Sequence, residues 1–152
     1  MTTVISRQEA FDRVMIDLAK YFSFCNRYMN EMGYSDQSWD EMIDLTNTKN
    51  KTYEKLYSRD IEEFARPILV LILSTIDSMQ KKEKTEERER LYKDVKRIMN
   101  QSYKAGTEYL SSGDTERLTQ KLSLLKSQAK GKEGETVYDS LFVFLTKGGV
   151  KC

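Results

Sequence analysis

Apolar residues recur at alternating steps of four and three along most of this chain, the period of one helix face. After Ser6 they run Phe11, Met15, Leu18, Phe22, Cys25, Met29 and Met32, a heptad seam that Gly33 is placed to end as a left-handed C-cap. Ser6 followed three residues later by Glu9 is a capping pattern at its start. A seam of this length needs a helical partner along it. Another helix of the same chain is the expected partner; self-association of two copies through residues 11–32 is the sharper alternative.

A second helix is expected to open at Ser38, with Glu41 three residues on, and to be short, running through Met42, Ile43 and Leu45. "TNTKNK", residues 46–51, interrupts the apolar spacing and reads as a loop, after which Tyr53, Leu56 and Tyr57 resume it. Asp60 is the expected cap of the next helix. Its core, "RPILVLILSTID", holds the only proline and six consecutive aliphatic residues. Six apolar residues between Arg66 and Asp77 are too few for a membrane span, which needs about twenty. A buried strand needs partner strands, and no other segment has strand character. The stretch is therefore expected to be a helix apolar on all sides, the centre of a bundle, with Pro67 kinking it or marking a fresh start.

Residues 81–90, "KKEKTEERER", contain no apolar side chain and read as a solvated linker running into a helix start. Leu91, Val95, Ile98, Ser102, Ala105 and Tyr109 form the next face, and Gly106 on it would permit close helix approach. Ser111-Ser112-Gly113-Asp114 breaks that helix and caps another, built on Leu118, Leu122, Leu125 and Ala129. "KGKEG" at 130–134 is a second break. The last helix is expected over about 136–146, with Gly148-Gly149 ending it and a flexible tail at 147–152. The fold class is thus all-α, one domain over 1–152, a bundle of five to six helices with a central buried hydrophobic helix.

At 152 residues such a domain buries enough surface to fold without staples. Two cysteines, Cys25 and Cys152, make no disulfide framework. The opening residues lack the apolar core of a secretory signal, so a cytoplasmic location is expected.

Chemistry is constrained by what is missing. The chain has no histidine, which removes the commonest general base, metal ligand and partner of a Ser or Cys nucleophile. No phosphate-binding glycine motif occurs. The carboxylate pairs Asp40 with Asp44, Glu62 with Glu63 and Glu86 with Glu87 have nothing convergent beside them and read as solvated helix faces. No catalytic residue, metal or cofactor is expected.

Two surfaces remain as candidates. Residues 1–80 carry nine Lys or Arg against thirteen Asp or Glu, net −4, whereas residues 81–152 carry sixteen against eleven, net +5. The basic residues Lys93, Lys96, Arg97, Lys104, Arg117, Lys121, Lys126, Lys130 and Lys132 would suit nucleic-acid phosphates, with Tyr92, Tyr103 or Tyr109 to stack. Tyr28, Met32, Tyr34 and Trp39 gather where the first helix ends, and these residue types are enriched at protein interfaces. The expected function is non-catalytic: an adaptor, regulator or inhibitor acting by protein–protein contact, with nucleic-acid binding by the basic half as the alternative. "VKRIMNQSYKAGTEYL" loosely resembles the helical C-terminal domain of some protein-disulfide-isomerase-like proteins. The chain has no Cys-x-x-C, so the resemblance assigns no redox activity.

Overall fold

A computed structural model describes residues 6–129 and 132–150. They form six helices: α1 (Arg7–Met32), α2 (Asp36–Leu56), α3 (Arg59–Gln80), α4 (Thr85–Ser112), α5 (Thr115–Gln128) and α6 (Lys132–Val150). The fold is an all-α bundle, and no strand occurs among the described residues. α3 is central, packing against α1, α2, α4 and α6, while α5 covers α4 and α6. No described helix is long and apolar enough to cross a membrane.

The seam of α1 is spent inside the chain. Phe11, Met15, Leu18, Phe22, Cys25 and Met29 are buried, and their partners are α3 and α4 of the same molecule. Met32, the seam's last member, is an exception at 63% exposed, because the neighbouring helices no longer cover α1 there. Ser6 caps α1 by accepting from the Glu9 N–H at 3.0 Å. The Glu9 carboxylate turns to Arg13 rather than back to the cap. Gly33 ends the helix at φ 78°, ψ 162°, a positive φ outside the left-handed helical well.

α2 corrects two expectations. Its cap is Ser35, three residues earlier than Ser38; the two serines satisfy each other's backbone N–H groups, so Ser38 is the third helical residue. Residues 46–51 are not a loop but the middle of one 21-residue helix. Polar residues weaken a helix only slightly when neighbouring helices take up their side chains. Thr46 is buried and shares a 2.7 Å hydrogen bond with the Tyr21 hydroxyl, Lys49 donates to Asp17 at 2.9 Å, and Asn50 donates to Glu62 at 2.9 Å.

α3 is capped by Ser58, whose hydroxyl accepts from the Ile61 N–H, and Asp60 lies inside its first turn. The helix runs unbroken through Pro67. Proline removes one backbone donor there, and packing on four neighbours holds the helix across the gap. Its burial is not complete all round: Val70 is 52% exposed, on the same side as Arg66.

α4 begins at Thr85, so only the first part of the 81–90 stretch is connector. Gly113, at φ 70°, ends α4 as a left-handed cap, and Asp114 caps α5 by accepting from the Arg117 N–H. α6 starts at Lys132, ahead of the expected 136, and continues past Gly148-Gly149 to Val150. Glycine costs a helix about 1 kcal/mol without forbidding it, so two glycines do not compel a stop or a loose tail at 147. Residues 151–152 lie outside the described residues.

Candidate protein-interaction site

Eight large apolar side chains stand exposed among the described residues, and five of them are on α1 and α2: Ile16, Phe24, Met32, Leu45 and Leu56. Val70, Leu124 and Val143 lie on three other helices.

α1 and α2 are antiparallel. Tyr28 donates to Glu41, Tyr21 bonds Thr46, and Asp17 accepts from both Lys49 at 2.9 Å and Tyr53 at 2.5 Å. Along α2, Glu41, Leu45, Lys49, Thr52 and Leu56 step by four and three, a single face. Glu41 and Lys49 both reach α1, so Leu45 between them borders the same seam. On α1 the matching row is Ile16, Lys20, Phe24 and Tyr28. Phe24 stacks on Tyr21 at 6.1 Å and on Tyr28 at 5.9 Å between ring centroids. A groove of about 400 Å³ lies between the helices, lined among others by Arg13, Ile16, Lys20, Thr52 and Leu56.

The hydroxyls and the thiol in and beneath the α1/α2 contact are held protonated. Burial, reinforced by the bond to Asp17, holds the Tyr53 hydroxyl protonated far above the ordinary tyrosine range, and burial does the same for Tyr21. The Lys49 ammonium sits 5.0 Å from the Tyr21 ring centroid and 5.8 Å from that of Tyr53. Beneath it Cys25 is fully buried, its thiol pushed up to about 11 by desolvation, with Lys49 pulling slightly the other way. A tyrosine hydroxyl or a thiol held protonated is a weak nucleophile near neutral pH. The arrangement can offer apolar contact and charge.

Of the four interaction candidates, Tyr28 and Met32 border this face. Tyr28 is half-buried with its hydroxyl on Glu41, and Met32 is exposed. Tyr34 and Trp39 are half-buried and packed on the core. Tyr34 lies within electrostatic reach of Arg88 and Asp77 at the α3–α4 junction, and burial raises its pKa. Ile16 and Phe24 are absent from the candidates read in the sequence, and Leu45 and Leu56 enter there as members of an apolar face and not as contact residues, although Ile16, Lys20, Phe24 and Tyr28 repeat every fourth residue opposite the seam. A second, weaker apolar row on a helix with a strong one is the signal that would have found them.

The basic candidates are scattered and partly neutralised. Arg97 pairs with Asp94 at 3.0 Å, Arg117 and Lys121 share Glu108 at 2.6 and 3.3 Å, and Lys126 pairs with Asp139 at 2.7 Å. Lys93, Lys96 and Lys104 are exposed along α4 and Lys132 is exposed at the start of α6, each without an ion pair among the described residues. Lys96 lies 5.5 Å from the Tyr92 ring centroid, while Tyr103 stacks on the buried Phe11. Lys130 lies outside the described residues.

The acidic pairs do not converge. Glu62 is buried and takes hydrogen bonds from Asn50 and Arg66, whereas Glu63 faces Arg59 on the surface. Among the described residues no group of three or more acidic or sulfur side chains is placed to hold a metal ion. A cleft of about 540 Å³ between α3, α4, α5 and α6 presents the Asp94–Arg97 pair, Glu133 and Tyr138. Asp94 is already paired with Arg97, and Glu133 accepts a hydrogen bond from Ser74 at 3.3 Å.

Comparison with protein-family models, with curated proteins and with solved structures gives no match.

Proposed function

We propose that this protein acts by helix-face contact with another protein, as an adaptor, regulator or inhibitor, and that the α1/α2 face is the contact surface. The observation that carries the reading is that Ile16 and Leu56 stand exposed on the two walls of one groove, while Phe24 and Leu45, also exposed, continue the same two helix rows beyond it. Side chains of this size lose about 1.5–3 kcal/mol each when left in water rather than buried, so a shared face of them favours being covered. Tyr53 in the groove is tied to Asp17, and Tyr21 and Tyr28 beside it are tied to Thr46 and Glu41 of α2, which reduces the ordering cost of binding.

The test is site-specific photo-crosslinking from p-benzoylphenylalanine placed at Phe24 or at Leu56, with Lys104 on α4 as the comparison position, in nuclease-treated native lysate. The expected result is one defined protein attached at both positions of the α1/α2 face and absent at Lys104. Identical attachment at all three positions, or none at the α1/α2 face, overturns the reading.

A second reading, nucleic-acid contact, is favoured by the exposed, unpaired Lys93, Lys96 and Lys104 on α4. Three phosphate contacts give single-strand binding a log–log salt slope of about −2. A flat salt dependence, or binding unchanged when the three lysines become glutamine, rejects it.

A further inference from the structure

The cleft between α3, α4, α5 and α6 shares no residue with the α1/α2 groove. Leu71 of α3, Val95 and Ile98 of α4 and Leu125 of α5 give it an apolar lining. Two hydroxyl side chains, Thr75 of α3 and Tyr138 of α6, line the same space. Thr75 is only 8% exposed and Tyr138 only 2%. Neither side chain makes a hydrogen bond among the described residues, although a buried hydroxyl ordinarily has a partner. Thr46, Thr52 and Thr119 return their hydroxyls to the carbonyl four residues back, as helical threonines commonly do, and Thr75 does not. Nor is either oxygen sealed off from solvent, so the small area they keep opens where the two residues line the cleft. Burial raises the Tyr138 pKa, with Arg97 pulling the other way, so near neutral pH both hydroxyls are free to donate.

The charged groups of the cleft are already engaged and stand toward solvent. Arg97 and Glu133 are exposed; Arg97 pairs with Asp94 at 3.0 Å, and Glu133 takes the Ser74 hydroxyl at 3.3 Å. A charged ligand group brought against Thr75 and Tyr138 would lose its water without meeting a counter-ion. An anion would in addition face two carboxylates and one guanidinium. A cation would find Glu133 only where water screens the pairing. We infer that this cleft binds an uncharged, largely apolar small molecule that presents a carbonyl-type oxygen to the Tyr138 hydroxyl, with Thr75 as a second donor. The volume of about 540 Å³ falls within the range of small-molecule sites, roughly 300–1,000 Å³, which set a few polar groups in an apolar lining. A partner helix fits worse. About 10 Å across, it would fill that volume within roughly 7 Å of its length, little more than one turn.

The experiment titrates the full chain into Prodan, an uncharged naphthalene ketone whose emission moves to the blue when it leaves water. Two counterparts keep its ring system: one carries a sulfonate in place of the ketone, the other lacks the acyl group. Backbone amide shifts locate the site. Prodan is expected to bind saturably and to move amides of α3 and α6. The acyl-free probe should bind about fivefold more weakly, having lost one hydrogen bond, and the sulfonate at least about tenfold more weakly. Tyr138→Phe should cut the affinity for Prodan about fivefold without weakening the acyl-free probe. The Tyr138 hydroxyl has no protein partner among the described residues, so the variant is expected to melt as the parent does. No saturable blue shift, equal binding of the three probes, a Prodan affinity unchanged by Tyr138→Phe, or shifts centred on α1 and α2 would each overturn the inference. The crosslinking test of the α1/α2 face stands or fails independently of these outcomes.

Discussion

Phe11 of α1 and Gly106 of α4 are in such close apposition that a Cβ on Gly106 would stand 2.3 Å from the ring's Cζ. The ring has no room to yield, because it is packed against Phe64 at 5.6 Å, Tyr103 at 6.0 Å and Phe144 at 6.1 Å. Gly106 is what lets α4 approach α1. On an exposed helix Gly→Ala would stabilise by about 1 kcal/mol. Here the expected sign is opposite: Gly106→Ala destabilises by about 2 kcal/mol through overpacking, read as a lowered urea midpoint. Adding Phe11→Leu to Gly106→Ala should cost less than the two single changes together, because the second removes the obstacle the first runs into.

Tyr53→Phe deletes the hydroxyl that bonds Asp17 while leaving the ring in place. The expected loss is about 1 kcal/mol, the net worth of one hydrogen bond, since Asp17 keeps Lys49 and is partly open to water. A double-mutant cycle with Asp17→Ala, which removes the acceptor, should show clear coupling by chemical denaturation. Additive effects would mean that the Tyr53–Asp17 bond contributes nothing in solution.

Cys25 makes stability fall at alkaline pH. Its thiol titrates near 11 in the folded chain against 9.0 when unperturbed, so the folded state resists ionisation that the unfolded state accepts. The contribution is complete below the unfolded value and is lost as pH rises through the folded one. Two pKa units correspond to roughly 3 kcal/mol at most. Cys25→Ala, which leaves a cavity at every pH, should be less stable than the parent at neutral pH, with the gap narrowing above pH 9. Tyr53 titrates in the same direction in both proteins and cancels from the comparison, while Tyr21 is raised mainly by burial in both and only secondarily by Cys25. A gap that stays constant to pH 11 would contradict the assigned environment.

Surface and core roles separate at the first turn of α2. Trp39 packs on the core and is expected to cost about 2 kcal/mol on replacement by alanine. Phe24→Ser and Leu45→Ser, on partly exposed positions of the α1/α2 face, should each cost no more than about 2 kcal/mol, leave the chain folded and remove the crosslinked partner. Thermal melts and crosslinking on the same three variants decide the matter. A stable Trp39→Ala variant that also lost the partner would return the contact to Trp39.

Helix existence was legible because it depends on local periodicity. The α1 seam and its Ser6 cap, the helical identity of 68–73 and the Gly113-Asp114 break each follow from spacing and capping chemistry within a few residues. The close approach at Gly106 was also readable, as a glycine on a buried face. Where the local signal was weak, tertiary contacts took over. "TNTKNK" carries no apolar stripe, and it is helical because Tyr21, Asp17 and Glu62, all distant in sequence, receive Thr46, Lys49 and Asn50. The groove belongs to the same class. Ile16 and Leu56, forty residues apart, became one surface only when α2 folded back antiparallel to α1. Periodicity states that a face exists, since it is a property of one helix. Which face stays in water depends on how many neighbours a helix has, and that is decided by packing: α3 has four and exposes little, while the outer sides of α1 and α2 are left uncovered.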